Sequence, residues 1–253
     1  MSKTALITGG TAGIGRAFAD ALAADGHDLI LVARDAQRLA DTAAELSAVH
    51  QIAVETIAAD LSVREDVDRV AGRLSDPGRP VDLLVNNAGF GLKGRFADNP
   101  IDAEQALLDV LVTAVLRLSH AALLPMAERG SGAIINVSSV AAFLPRGSYS
   151  AAKAWVNSFS EWAHQEYADR GVSVMALCPG FVRTEFHPRM EVGHDSAPTF
   201  MWLDAAAVAA DALADLRRGR AISIPSKRYK LLVAGSRAIP RGLLQRAQSL
   251  GRK

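Results

Sequence analysis

The chain of 253 residues is 49% hydrophobic and 22% charged, which is enough apolar content to bury a sizeable core and too much for intrinsic disorder. Lys and Arg number 28 against 27 Asp and Glu, a formal net charge of +1, and this excludes a generally polybasic nucleic-acid binder. The balance conceals a division: eleven bases and no acid follow Asp215, so the first 215 residues hold the other 17 bases with all 27 acids, a net of −10.

Short β-branched or leucine-rich runs alternate with Ala-rich stretches of helical spacing, the pattern of parallel βαβ units. Strands are expected at 3–8, 28–33, 52–57, 81–85, 132–137, 172–177 and 221–224, and helices at 14–25, 36–48, 64–74, 103–128, 149–169 and 205–218. Several strands are apolar throughout, as expected when helices cover both faces of a sheet. Right-handed crossovers then give a doubly wound Rossmann fold, an α/β single domain over 1–253 with a seven-stranded, mostly parallel sheet. A basic tail occupies 227–253. No repeat or low-complexity tract divides the chain. The lone Cys178 cannot form an internal disulfide and reads as a buried small hydrophobe. The opening MSKTALIT runs straight into a strand without a signal-peptide layout, so a reducing cytoplasm is expected. No apolar run is read as reaching the roughly 18 to 20 residues that span a bilayer.

The first strand leads into Thr8-Gly9-Gly10-Thr11-Ala12-Gly13-Ile14-Gly15, with a helix directly after it. Glycines let the backbone approach a pyrophosphate, and a helix N-terminus offers N–H groups and partial positive charge. A dinucleotide is the natural ligand, although such turns also serve tight packing. The spacing is not G-x-G-x-x-G, and no Gly-Lys-Ser/Thr closes a P-loop. The second strand ends Ala33-Arg34-Asp35, where an acid would hold the ribose of NAD and a base the 2′-phosphate of NADP. Arg34 argues for NADP, with Arg38 one turn on as a second contact. Asp35 reads either as a helix N-cap or as a ribose ligand.

Tyr149 and Lys153 share one helix face, and Ser139 follows the end of a strand. A phenol with a pKa near 10 is a poor acid-base catalyst. A lysine cation and the positive nicotinamide ring are expected to favour the phenolate and bring that value toward operating pH. Tyr149 would then pass a proton to a carbonyl oxygen held by Ser139. Alone, such a pair also fits a packing tyrosine beside a snorkelling lysine.

In order along the whole chain, Thr8 to Gly15, Asp60-Leu61, Asn86-Asn87-Ala88-Gly89, Ser138-Ser139, Tyr149-x-x-x-Lys153 and Pro179-Gly180 resemble the short-chain dehydrogenase/reductase family, in the branch of about this length. The resemblance implies an NADP-dependent reductase of a ketone, aldehyde or 3-oxoacyl substrate, working as a homodimer or homotetramer through its long helices. It also implies that Gly9, Thr11, Ala12, Gly13, Ile14 and Gly15 line the pyrophosphate, that Asp60 and Leu61 meet the adenine, and that Asn87, Ala88 and Gly89 lie near the adenosine ribose. Val182 and Thr184 would touch the nicotinamide carboxamide, and Tyr149 and Lys153 would contact the cofactor as well as the substrate. The family's NAD-selecting acid falls at Ala33, in line with NADP. Two departures stand out. The asparagine that serves proton relay is replaced by Leu111, and the segment from Ser139 to Tyr149 is shorter than the pattern.

Substrate choice should lie after Thr184, where Phe186, Met190, Phe200, Met201 and Trp202 make a largely apolar set. It reads as a lid over a hydrophobic carbonyl substrate or as an ordinary packing helix. His187 and His194 lack metal-ligand spacing, and no metal site is expected. The tail mixes bases with Leu231, Leu232, Leu243, Leu244 and Leu250. It fits an anionic membrane surface, an acyl carrier or coenzyme A, or a solvated helix covering an oligomer surface. A dinucleotide-binding sensor or scaffold without turnover is the alternative to an enzyme.

Overall fold

Seven strands assemble around a centre of five that carry apolar side chains on both faces. In the computed structural model, which describes residues 2–184 and 198–238, the last three as backbone only, β1 (Thr4–Thr8), β2 (Asp28–Ala33), β3 (Val54–Ala58), β4 (Leu83–Asn86), β5 (Gly132–Val137), β6 (Val172–Leu177) and β7 (Ile222–Ser223) form one sheet. Its order is β3-β2-β1-β4-β5-β6-β7, and every pairing is parallel rather than most of them. Alternate residues of a strand point to opposite faces. Leu6, Ile30, Leu84 and Ile134 therefore enter one core layer, while Ile7, Leu31, Val85 and Ile135 enter the other. Each such side chain, fully buried, contributes about 1.5–3 kcal/mol.

The helices α1 (Gly13–Ala24), α2 (Ala36–His50), α3 (Arg64–Leu74), α4 (Ile101–Leu108), α5 (Ala114–Arg129), α6 (Ser148–Tyr167), α7 (Ala205–Arg217) and α8 (Lys227–Ala238) are the described ones. α1, α2 and α7 cover one face of the sheet, whereas α3, α5 and α6 cover the other. The order in which strands are added reverses between β1 and β4, so their carboxyl ends make the crevice of a doubly wound sheet. The glycine turn closes β1 there, and Asn87-Ala88-Gly89 leaves β4 beside it.

The long helix expected over 103–128 differs in two ways. It begins earlier, at Ile101, and it is interrupted by one π-helical turn, Asp109–Thr113, between α4 and α5. Contrary to the sequence reading, Ile101–Arg129 is long and apolar enough to cross a membrane by length and composition. Here Leu107, Leu111, Leu118 and Met126 are buried in the core, and Arg117 pairs with Asp68 of α3. β3 starts two residues later than expected and is half-exposed, because an edge strand needs only one covered face.

Candidate active site

The glycine turn is shaped by backbone geometry and by one asparagine. Gly9 has φ of +67°, in the left-handed region that favours glycine. Asn87 Nδ2 donates to the carbonyls of Thr8 (2.9 Å) and Gly9 (3.2 Å). Thr8 Oγ1 accepts from the backbone N–H of Asn87 and of Ala88. A Cβ on Gly15 would stand 2.2 Å from the Gly9 carbonyl oxygen, so that glycine is required by the close return of the turn. In the structure Asn87 thus serves as the clasp between β4 and the turn, a function that its sequence context did not disclose.

At the N-terminus of α1, Ala12 offers no side-chain cap and the first turn holds no acid. The orphan N–H groups of a helix start are then open to an anion. Thr184 packs against Gly13, whose Cβ would stand 3.1 Å from the threonine side chain. A cleft of about 590 Å³ opens beside them, lined also by Arg16, Asp20 and Arg183, with Arg16 ion-paired to Asp20 and Glu45 and Arg183 the other cation of that lining. Val182 is buried and bridges to Leu203. This arrangement fits the diphosphate of a nicotinamide dinucleotide.

At the end of β2 the Arg34 side chain is 75% exposed and its guanidinium lies 4.0 Å from the Asp60 carboxylate. Asp60 also accepts from the backbone N–H and hydroxyl of Ser62. Burial works against these contacts, yet they hold its carboxyl below the usual value. Leu61 is buried in the core with Val67 and Val70. Asp35 accepts from the Arg38 N–H at 3.0 Å and caps α2, so of its two readings the N-cap is the one the structure shows.

Ser139, Tyr149 and Lys153 come together beyond the end of β5. A tight turn at Gly147, φ +94°, starts α6, so the short connecting segment still brings Tyr149 to hydrogen-bonding contact with Ser139. Ser139 Oγ also accepts from the Ala141 N–H at 3.1 Å. Lys153 is buried, its ammonium 5.8 Å from the centre of the Tyr149 ring, and it donates to the Val137 carbonyl at 2.7 Å.

In the protein without a dinucleotide the electrostatics run against the expected acidity. Burial pushes the Tyr149 hydroxyl up to about 12, and the hydrogen bond from Ser139 only partly opposes it. Burial likewise lowers Lys153 to about 8. In the protein alone desolvation outweighs the lysine charge, because that ammonium is turned onto a backbone carbonyl. Tyr149 therefore holds its proton at neutral pH.

Leu111 lies in the π-helical turn, buried, with its side chain against Gly89, which lies close to the Lys153 ammonium. It offers no side-chain donor or acceptor for a relay. Sequence reasoning missed the π turn, a form that often marks functional sites. It also missed Tyr229 of α8, whose ring packs on Gly180 so closely that a Cβ there would stand 1.9 Å from it. The Tyr229 hydroxyl accepts from the Phe181 N–H (3.0 Å) and donates to the Met201 carbonyl (2.9 Å). No signal within the basic run distinguishes that tyrosine. Of the proposed lid, Phe200 is exposed while Trp202 is buried against Phe181. Phe186, His187, Met190 and His194 lie outside the described residues, and no cluster of metal ligands occurs among the described ones.

Comparison with known proteins adds independent support. The short chain dehydrogenase family pattern matches residues 3–193. An uncharacterized oxidoreductase of Staphylococcus saprophyticus is 35% identical over 185 residues, 72% of this chain and 79% of the relative. The very-long-chain 3-oxoacyl-CoA reductase of Bos taurus is 33% identical over 73% of this chain, which spans only 61% of that relative's length. A short-chain dehydrogenase from Sphingobium yanoikuyae, solved in complex with NADPH, superposes with a TM-score of 0.86 at 34% identity, covering 96% of this chain and 95% of the other. The bulky-bulky ketone specific alcohol dehydrogenase from Comamonas testosteroni gives 0.81 at 30% identity, covering 93% and 92%. With three-quarters of its length matched by the family pattern and relatives at 34–35% identity over most of its length, the chain belongs to the short-chain dehydrogenase/reductase family of oxidoreductases.

Proposed function

We propose that the protein is an NADP(H)-dependent reductase of apolar ketones, aldehydes or 3-oxoacyl thioesters. The observation that carries this reading is the hydrogen-bonded Ser139–Tyr149 pair above the buried Lys153, at the carboxyl edge of the sheet. The NADPH complex of the Sphingobium relative and the names of the 3-oxoacyl-CoA and bulky-ketone relatives support it. So does Arg34, exposed where a 2′-phosphate would lie.

When bound, the dinucleotide would supply hydride to the carbonyl carbon. The uncapped start of α1 at Gly13, Ile14 and Gly15 would hold its diphosphate. Ser139 Oγ accepts from the Ala141 N–H, and its one O–H, which points to Tyr149 in the protein alone, would turn to orient the substrate oxygen when a substrate lies between them. Tyr149 gives its proton to that oxygen as the C=O bond becomes C–OH. Held up near 12, it remains a stronger acid than an alcohol, whose acidity is close to that of water at about 15.7. The ammonium of Lys153 then faces the phenolate left behind.

The test is NADPH oxidation across a panel of ketones and acyl thioesters with Tyr149→Phe as control. Removing the acid should lower kcat by about 10² to 10⁴-fold. Equal turnover in the two proteins removes the role given to Tyr149, and no turnover in either leaves a dinucleotide-binding sensor as the surviving account. Parallel titrations should show NADPH binding tighter than NADH, and Arg34→Ala should narrow that gap; tighter NADH removes the role given to Arg34.

A further inference from the structure

We infer that the outer face of α8 is a docking surface for an anionic lipid bilayer, placed next to the substrate end of the site. The inference concerns membrane attachment and rests on the reductase reading only for its purpose. α8 is fixed to the body through Tyr229 and Val233, both buried, and the Tyr229 hydroxyl ties it to Phe181 and Met201. Arg228 stacks over Phe200 and donates to its carbonyl. The helix therefore belongs to the fold and sits against the segment that follows β6.

Its outward side sets exposed leucines among cations. Leu231 is 74% and Leu232 54% exposed, flanked by the exposed cations Lys227, Arg228 and Lys230. A helix with apolar side chains standing among cations, and no acid, is what a headgroup layer accepts. Charge complementarity selects the occupant. The first 215 residues have a net of −10 and everything after Asp215 is basic, so an anionic plane repels the body and attracts this end alone. Cations and leucines continue to alternate along the sequence past the helix. An apolar carbonyl substrate dissolved in lipid would then reach the site without crossing water.

Flotation of the full-length protein with phosphatidylcholine vesicles, with and without phosphatidylglycerol, tests this. The protein should float only with the anionic vesicles, and added salt should release it. Lys227→Glu with Lys230→Glu should lower the partition at least about tenfold, since each base near such a surface contributes measurably. Leu231→Ser with Leu232→Ser should lower it too, with the thermal midpoint and turnover of a water-soluble ketone unchanged. Equal flotation on both vesicle types, or none, overturns the inference, as does stable binding to an acyl carrier protein without flotation. None of these outcomes depends on turnover, so the lipid surface and the reductase reading can fail separately.

Discussion

Lys153 is held against its own preference. Burial has brought its pKa from 10.5 to about 8, which corresponds to about 3 kcal/mol at neutral pH. The cost is complete where both folded and unfolded chains carry the proton, below about 8. Stability then rises with pH between about 8 and 10.5, where only the unfolded chain keeps it. Lys153→Met should abolish turnover and remove that slope. It should also leave stability at neutral pH unchanged or raise it by about 1–2 kcal/mol, after allowing for the Val137 carbonyl left without its donor. Urea unfolding at neutral pH and again above pH 8 checks this; a Met variant less stable than wild type would show that the ammonium stabilises the fold. In wild type, kcat/KM for reduction should fall above about pH 8, as Lys153 loses the charge that faces the phenolate. The residue types of the site were legible because Ser139, Tyr149 and Lys153 follow a family order. Their acidities were not, because desolvation depends on packing that no spacing records.

At the scale of elements, the catalytic helix is held at its start by a residue from another helix. Glu104 of α4 is buried, accepts from Ser148 Oγ at 2.5 Å and from Asn99 Nδ2 at 2.8 Å. A carboxylate beside the first turn of the 20-residue α6 also meets the positive end of its dipole. Beneath the site, Asn86 donates to Asn136 and Ser119, and Asn136 donates to Ser160, a polar chain joining β4, β5, α5 and α6. Glu104→Ala should cost about 1–3 kcal/mol. It should lower kcat more than it changes the KM for NADPH, because Tyr149 is one residue from Ser148 and the glycine turn is not touched. A kcat equal to wild type would show that Ser148 needs no anchor. Extents of β2, α3, β5 and β6 were read correctly from the sequence, since uniform apolar runs and strong amphipathic spacing fix both ends. The Glu104–Ser148 contact joins residues 44 apart, and the π turn at Asp109–Thr113 lies within a continuous apolar helical stretch; neither has a local signature.

Among the exposed apolar side chains of the described residues, those of α8 and those of α5 and α6 make different demands. Besides the outer face of α8, α5 exposes Leu116 and Leu124, and α6 exposes Trp162, reached through a run of rings in which Trp155 and Phe159 stack at 5.1 Å. Apolar side chains gathered on one face mark a surface for a partner, whereas single ones need no explanation. We propose that copies of the chain associate through α5 and α6, whereas α8 stays free for lipid. Each such side chain covered would contribute about 1.5–3 kcal/mol, so one charge placed among them should weaken assembly at least about tenfold. Light scattering after size exclusion should give an oligomer for wild type and a shift toward the monomer for Leu116→Asp or Trp162→Glu. Leu231→Ser with Leu232→Ser should leave the mass unchanged. A mass insensitive to the α5 and α6 variants but altered by the α8 pair would exchange the two assignments: the leucines of α8 would then be the subunit contact, and the acidic body with its basic end would owe its asymmetry to pairing between copies rather than to a membrane.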